Sequence, residues 1–293
     1  MDLNDMAQRL EASGDYRVLR RLVPRRQPHI PDGSATRIGL FVDVETTGLD
    51  PVRHEIIELA MVPFTYALDG RIFAVGDAFQ RLRQPAEPIP PEISVITGID
   101  EAMVAGQTIE PAEVAAFATP AALVIAHNAA FDRRFLERFC PLFARKPWAC
   151  SIAQVDWAAE GHEGLKLAYL AAGAGFFYDR HRAENDCLAA IELLATPLPK
   201  SGIPALTRLL AQARTPTWRI LAEDSPYDRK DQLKARGYRW SDRASPAPRG
   251  WYLDVSEADR EAELTFLQAE IYGHPVQLQV TRIDAYDRFS ERC

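Results

Sequence analysis

The stretch Arg37-Ile-Gly-Leu-Phe-Val-Asp-Val-Glu-Thr-Thr-Gly-Leu-Asp50 constrains the fold of this chain more than any other. Leu40, Phe41, Val42 and Val44 form an apolar run without alternation, which is the pattern of a strand covered on both faces. Such a strand carries Asp43 and Glu45 at its end. Residues two apart on a strand point to the same side, so the two carboxylates lie next to each other. Their repulsion has two remedies: solvation at a strand end, or a divalent cation that pairs both. Thr46, Thr47 and Gly48 then turn the chain where backbone can approach a ligand closely.

The chain has 293 residues, 47% hydrophobic and 26% charged, the balance of a globular protein with one large or two small domains. A formal net charge of −7 neither announces nor excludes a nucleic-acid partner, because a metal-filled acidic site receives phosphate and basic patches act locally. Cys140, Cys150, Cys187 and Cys293 form no C-x-x-C pair and read as reduced thiols, so a cytoplasmic location is expected. The first residues lack the pattern of a signal peptide, and no apolar run reaches membrane-spanning length.

The pattern predicts an N-terminal extension over residues 1–36. It consists of a helix across 2–22, striped by Leu3, Met6, Leu10, Leu19 and Leu22 and interrupted at Ser13-Gly14, then a linker holding Pro24, Pro28, Pro31 and Gly33. Arg20, Arg21, Arg25 and Arg26 make this lead-in basic: a solvated helix end, or a contact to nucleic acid or to a second domain. A main domain over 37–200 opens with three antiparallel strands: the first from Arg37, the second across 55–62, the third from Ile72–Val75 with Ala78-Phe79. Asp69-Gly70 marks the hairpin turn between the second and third. A short helix and turn (93–99), a helix (111–117), a buried strand (122–126), a helix (132–140), mixed segments (148–153 and 165–172) and a helix (182–194) follow. The expectation is an α/β mixed sheet flanked by helices. After a break at 196–202, residues 204–213 form a helix and 215–293 a small C-terminal α/β module. Its strands are expected at 218–222, 251–255 and 276–283, and its helices at 230–236 and 257–271.

Two more acids stand where chemistry gathers. Asp132 closes His127-Asn-Ala-Ala-Phe-Asp at a strand-to-helix turn, where an N-cap is the plainer role. Asp186 lies about one turn into a helix, five residues after His181, itself an ordinary loop histidine when read alone. Together, F-V-D-V-E-T-T-G (Phe41 to Gly48), H-N-A-x-F-D (His127 to Asp132) and H-R-A-x-x-D (His181 to Asp186) resemble the DEDDh, or DnaQ-like, exonuclease superfamily, including the epsilon proofreading subunits of bacterial replicative polymerases. Ile56-Ile57-Glu58 and Thr97-Gly98-Ile99 are similar to its secondary signatures, and the resemblance covers roughly Arg37 to Thr196.

The resemblance implies a ribonuclease H-like fold and metal-dependent 3′-to-5′ hydrolysis of phosphodiester bonds at DNA ends. Two Mg²⁺ or Mn²⁺ ions would be held by Asp43, Glu45, Asp132 and Asp186, with His181 as general base. Asp43 would bridge the ions, Glu45 and Asp186 would hold the water-activating one, and Asp132 would support the other. The base must be neutral, so activity is expected to rise as the imidazole loses its proton. Thr46 and Thr47 are candidates to grip the terminal sugar and 3′-hydroxyl, and Leu49 and Phe131 to contact the last base; ordinary turn packing is the alternative for all four. The expected partner is nucleic acid, above all single-stranded 3′ ends of DNA, in a polymerase or repair setting. An exoribonuclease similar to RNase T or oligoribonuclease, and an accessory subunit of a polymerase complex, are the other readings. In the C-terminal module, Arg229, Lys230, Lys234, Arg236, Arg239, Arg243 and Arg249 alternate with Tyr227, Tyr238, Trp240, Trp251 and Tyr252. That pattern suits single-stranded nucleic acid, or equally a small core ringed by solvated arginines.

Overall fold

The computed structural model describes residues 2–25, 32–241 and 249–292. It divides into two units between Leu210 and Ala211, inside the helix expected over 204–213. Arg26, Pro28, Pro31, Arg243 and Cys293, named above, lie outside the described residues.

The N-terminus departs from the helix expected across 2–22. Helix α1 (Leu3–Ala12) ends at Ser13, and Gly14, at φ 81°, turns the chain out of the helix. None of the α1 residues is buried, so its apolar stripe faces no core. Residues 17–25 form an extended strap instead. Arg17 donates to the carbonyls of Ala172 and Gly173, and strand β1 (Arg20–Arg21) pairs with a two-residue strand at Phe176–Phe177. Arg21 reaches Asp179 at 2.8 Å, and the Arg25 guanidinium forks onto Glu192 at 2.6 and 2.8 Å. Arg17, Arg21 and Arg25 therefore answer acids and carbonyls of their own unit.

The core sheet is built on β2 (Thr36–Thr46). It pairs antiparallel with β3 (Ile56–Ala67) along nearly its whole length, from Thr36 opposite Ala67 to Glu45 opposite Glu58. The expected third strand is two: β4 (Ile72–Val75) and β5 (Phe79–Leu82) both line the outer side of β3, separated by a break at Gly76. Leu40, Phe41, Val42 and Val44 are at most 5% exposed, as a strand packed on both faces requires. Gly39 is demanded by its neighbour: a Cβ there would stand 2.5 Å from the Phe64 ring, which lies across the strand.

Short helices α2 (Pro91–Thr97), α3 (Glu101–Val104) and α4 (Pro111–Ala118) lead to β6 (Leu123–Ala126), which runs parallel to β2. Helix α5 (Ala129–Phe139) then returns the chain to β7 (Trp148–Cys150), parallel to β6. This gives the order β4-β3-β2-β6-β7 with β5 also on β3, a six-stranded mixed sheet. Helix α6 (Leu167–Gly173), β8 (Phe176–Phe177) and α7 (Ala183–Ala195) follow. Helix α7 packs on β2 and β3 through Cys187, Ala190 and Ile191, all buried. Cys187 Sγ lies 3.7 Å from the Phe41 carbonyl and 3.9 Å from that of Ala60; a small side chain there lets helix and sheet approach.

The second unit begins within α8 (Ala205–Arg214) and contains β9 (Thr217–Ala222), α9 (Lys230–Ala235), β10 (Arg239–Ser241), β11 (Gly250–Val255), α10 (Arg260–Phe266) with a π-helical continuation to Tyr272, and β12 (Gln279–Ile283). The four strands make an antiparallel sheet in the order β10-β11-β9-β12, a β-α-β-β-α-β arrangement. Ile220, Ala222, Leu233, Tyr238, Val255, Leu267 and Ile271 form its core, with Trp218 and Trp251 packed against it. Buried Glu263 accepts from Tyr238 Oη and Arg236 Nε at 2.9 Å, so this arginine serves the fold. On the other face of the sheet, Arg219 forks onto Asp254 at 2.7 and 2.9 Å and covers the Tyr252 ring. Among the described residues no helix is long and apolar enough to cross a membrane.

Candidate active site

The carboxyl ends of parallel strands are where open α/β sheets gather ligands, and β2 ends there with its two acids. Asp43 and Glu45 are partly exposed while Val44 between them is buried, the alternation that puts both carboxylates on one face. Helix α7 brings the third acid. Its first turn holds Asp186, which accepts from the Tyr178 hydroxyl at 2.8 Å through Oδ1. One oxygen each of Asp43, Glu45 and Asp186 lie within 4.8 Å of one another.

Asp132 arrives from the opposite side. The expected N-cap role falls to Asn128, at φ 90°, and α5 starts at Ala129, so Asp132 is inside the first turn. It is 2% exposed and takes the Val44 amide at 3.2 Å, so it is tied to the backbone between the two β2 acids. His181 sits exposed in the turn before α7 at φ 61°, a left-handed conformation uncommon for a residue with a Cβ. The turn puts its imidazole near Asp186, at the start of the same helix.

Crowding sets the electrostatics. Burial raises the Asp43 carboxyl well above its ordinary range, and the charges of Asp132, Asp186, Glu45 and Glu58 raise it further. Glu45 is pushed up to about 7 by burial, then by Asp186 and Glu58. Asp132 is pushed up to about 8 by burial, against the pull of the Val44 amide. Asp186 is raised by burial although Tyr178 and His181 oppose it. The second Asp186 oxygen is buried and has no hydrogen-bond partner. Hard oxygen donors, mutual repulsion and one buried orphan oxygen fit a divalent cation.

Among the remaining sequence candidates, Thr46 Oγ1 donates to the Gly48 carbonyl at 2.7 Å. Thr47 uses its amide on the Glu55 carbonyl and its hydroxyl on the Glu55 amide, so both side chains close the turn. Leu49 is 80% exposed beside them, and Phe131 is half-buried against Phe135 with ring centres 5.0 Å apart.

Tyr178 lies outside the motifs, and His127 and Glu58 lie inside them without an assigned role. Tyr178 grips Asp186, and its burial against that carboxylate raises the phenol, so the hydroxyl keeps its proton and donates. His127 is a strut: Nε2 meets the Leu165 carbonyl at 2.8 Å and therefore carries the hydrogen, while Nδ1 meets Ser151 Oγ at 2.7 Å. Burial lowers this imidazole to about 4, so it is neutral. Glu58 is fully buried beside Glu45, across the strands. It accepts from Gln80 at 2.6 Å, from Arg182 at 3.3 Å and from the Ala183 amide at 3.2 Å, and so anchors the start of α7. Glu58→Ala leaves three donors without their acceptor and frees the turn that holds Asp186. We expect a loss of roughly 2–3 kcal/mol of stability and a 10–100-fold fall in activity, checked by melting curves and kcat of the folded fraction. Wild-type kcat in a folded variant would show that Glu58 does not position α7.

A sequence model of the RNase T family, described as "Exonuclease", matches residues 40–194, just over half of the chain. The chain belongs to this exonuclease family, in its DnaQ-like DEDDh branch. A DNA polymerase III subunit epsilon-like protein of Rhodobacter capsulatus is 37% identical over 176 residues, 56% of this chain and 24% of that protein. The DNA polymerase III subunit epsilon of Treponema pallidum is 29% identical over 163 residues, 53% of this chain and 73% of that protein. The match thus spans about a quarter of the first of these relatives. A zinc-bound Escherichia coli ExoI–ssDNA complex superposes with a TM-score of 0.51 at 15% identity, over 75% of this chain and 63% of that one, a likeness of fold. The ribonuclease H-like sheet expected from the motifs is the one the exonuclease unit has.

Proposed function

We propose that this exonuclease removes nucleotides from the 3′ end of DNA in a reaction that requires Mg²⁺ or Mn²⁺. The reading rests on one observation: Asp43, Glu45 and Asp186 offer oxygens within 4.8 Å of one another, beside a histidine held in a left-handed turn on the same helix start. The names of the polymerase III relatives favour DNA as the polymer. Divalent cations held there supply Lewis acidity to both the attacking water and the scissile phosphate. Asp43, Glu45 and Asp186 would hold the cation that activates the water, and Asp132 would support a second one. His181 accepts the proton of the attacking water, and its exposure lets the proton pass on to solvent. Tyr178 fixes one Asp186 oxygen and leaves the other for the cation. Leu49 and Phe131 supply apolar surface for the terminal base, and the Thr46–Thr47 turn supports the sugar. A polymerase or repair complex is the setting in which such ends arise.

Purified protein, Mg²⁺, and DNA and RNA strands labelled at either end give polarity and sugar preference from one gel. DNA labelled at its 5′ end should shorten stepwise, while a 3′ label is released first as mononucleotide. Faster loss of RNA would move the substrate to RNA, and release of a 5′ label first would reverse the assigned polarity. His181→Ala should lower kcat by about 10²–10⁴-fold while divalent-ion binding, followed by calorimetry, persists. An unchanged rate and pH profile would assign the base elsewhere.

A further inference from the structure

The C-terminal unit places some of its aromatic residues outside its core. Tyr238 is buried, and Trp218 and the half-buried Trp251 pack on the core, but Trp240 is 55% exposed and Tyr227 79% exposed. These two rings belong to one continuous surface. Lys230 Nζ lies 4.0 Å from the Tyr227 ring centre and 2.7 Å from its hydroxyl. Lys234 stands one helical turn further along α9, on the same side, and its Nζ lies 5.8 Å from the Trp251 ring centre. Trp251 meets Trp240 edge-to-face at 5.5 Å, on paired positions of β11 and β10. The surface therefore reads ring, cation, cation, ring, ring.

Large exposed rings cost solvation, and the unit has a core without these two. Their neighbours are cationic. Residues 227–240 hold Arg229, Lys230, Lys234, Arg236 and Arg239 against Asp228 and Asp231. Arg236 serves Glu263 and Arg239 reaches Asp254, whereas Lys230 and Lys234 present their ammonium groups over the rings. Flat rings beside ammonium groups match a polymer of flat bases and phosphates, and ring stacking tolerates any base sequence. A duplex hides its base faces, so the fit is to a single strand.

We propose that Tyr227, Lys230, Lys234, Trp240 and Trp251 form a second binding surface, for single-stranded nucleic acid and distinct from the catalytic carboxylates. As a means of retaining substrate, this assignment rests on the function proposed above; as a binding surface it stands by itself.

The test measures anisotropy of a fluorescent single strand titrated with the full chain in EDTA, so that binding is read without turnover. Tyr227→Ala and Trp240→Ala should each weaken binding about fivefold or more. Trp240→Phe, which keeps a stacking ring, should retain most of the affinity. Lys230→Gln combined with Lys234→Gln should flatten the dependence of log affinity on log salt by roughly 0.7 per lost phosphate contact. Duplex affinity should change less than single-strand affinity. Single-strand affinities and salt slopes matching wild type, in variants whose melting temperature is unchanged, would overturn the surface, whatever else it then contacts. Hydrolysis in Mg²⁺ separates the two readings. Binding lost in the variants of a chain that never hydrolyses would keep the surface and remove the enzyme. Full binding in all variants of a chain that does hydrolyse would do the reverse.

Discussion

Asp43→Asn should abolish turnover while making the metal-free protein harder to unfold. The two effects share one cause. Four carboxylates, Asp132, Asp186, Glu45 and Glu58, raise the Asp43 carboxyl on top of its burial, so the folded state is penalised for every charge it keeps there. Asparagine has the same shape and no charge. A gain of about 1–2 kcal/mol is expected in EDTA at pH 8. The gain should shrink near pH 5, where the wild-type carboxyls are already neutral. The proposed metal ligand is gone, however, and the Lewis acidity it would hold is worth several kcal/mol, so activity should fall about 10³-fold or more. Melting curves in EDTA and gel assays in Mg²⁺ check the two halves. A variant with normal turnover would remove Asp43 from the metal site. A variant less stable than wild type at pH 8 would show that repulsion is not what the site stores.

Much of this site is visible in sequence because it is built from strong local signals. The run from Leu40 to Val44 specifies a doubly covered strand, and spacing alone puts Asp43 and Glu45 on one face of it. The apolar spacing of Leu188, Ile191 and Leu194 specifies α7, which sets Asp186 in its first turn. What stayed hidden depends on partners far along the chain. The two-residue strand at Arg20–Arg21 exists only because Phe176–Phe177 lies beside it, and no periodicity marks so short a pair. Leu3, Met6 and Leu10 gave the spacing of an amphipathic helix, yet nothing covers that stripe, since pattern records what a helix can bury and not what it meets. β7 is three residues long, too short to show a period, so its segment reads equally as helix. Tyr178 carried one weak signal, an aromatic three residues before the motif histidine, and Glu58 carried one, an acid inside an apolar strand. An acid in that position asks for partners, and they are Gln80, Arg182 and the amide that opens α7.

The pH dependence of stability should carry the signature of the site most directly: without metal the protein should become less stable as pH rises from about 5 to 8, and a divalent cation should reverse that loss. The sign follows from where protons sit. Glu45 titrates at about 7 and Asp132 at about 8 in the folded chain, each above its ordinary carboxyl value near 4. Below about pH 4 both folded and unfolded chains hold these protons, and stability does not depend on them. Above it the unfolded chain releases its protons first, so the folded state binds more and loses stability with each pH increment. The loss levels off only above about pH 8, as Asp132 ionises in the folded chain as well. Glu45 alone accounts for roughly 3 kcal/mol across that window. A divalent cation binds the ionised carboxylates and competes with protons, so its stabilisation should be small at pH 5 and large at pH 8. Melting temperatures at both pH values, in EDTA and in Mg²⁺ or Mn²⁺, give four numbers that decide it. The proposed assembly fails if the metal-free protein melts higher at pH 8 than at pH 5. It fails equally if the metal raises the melting temperature by the same amount at both, because an ion held by these carboxylates has to displace their protons first.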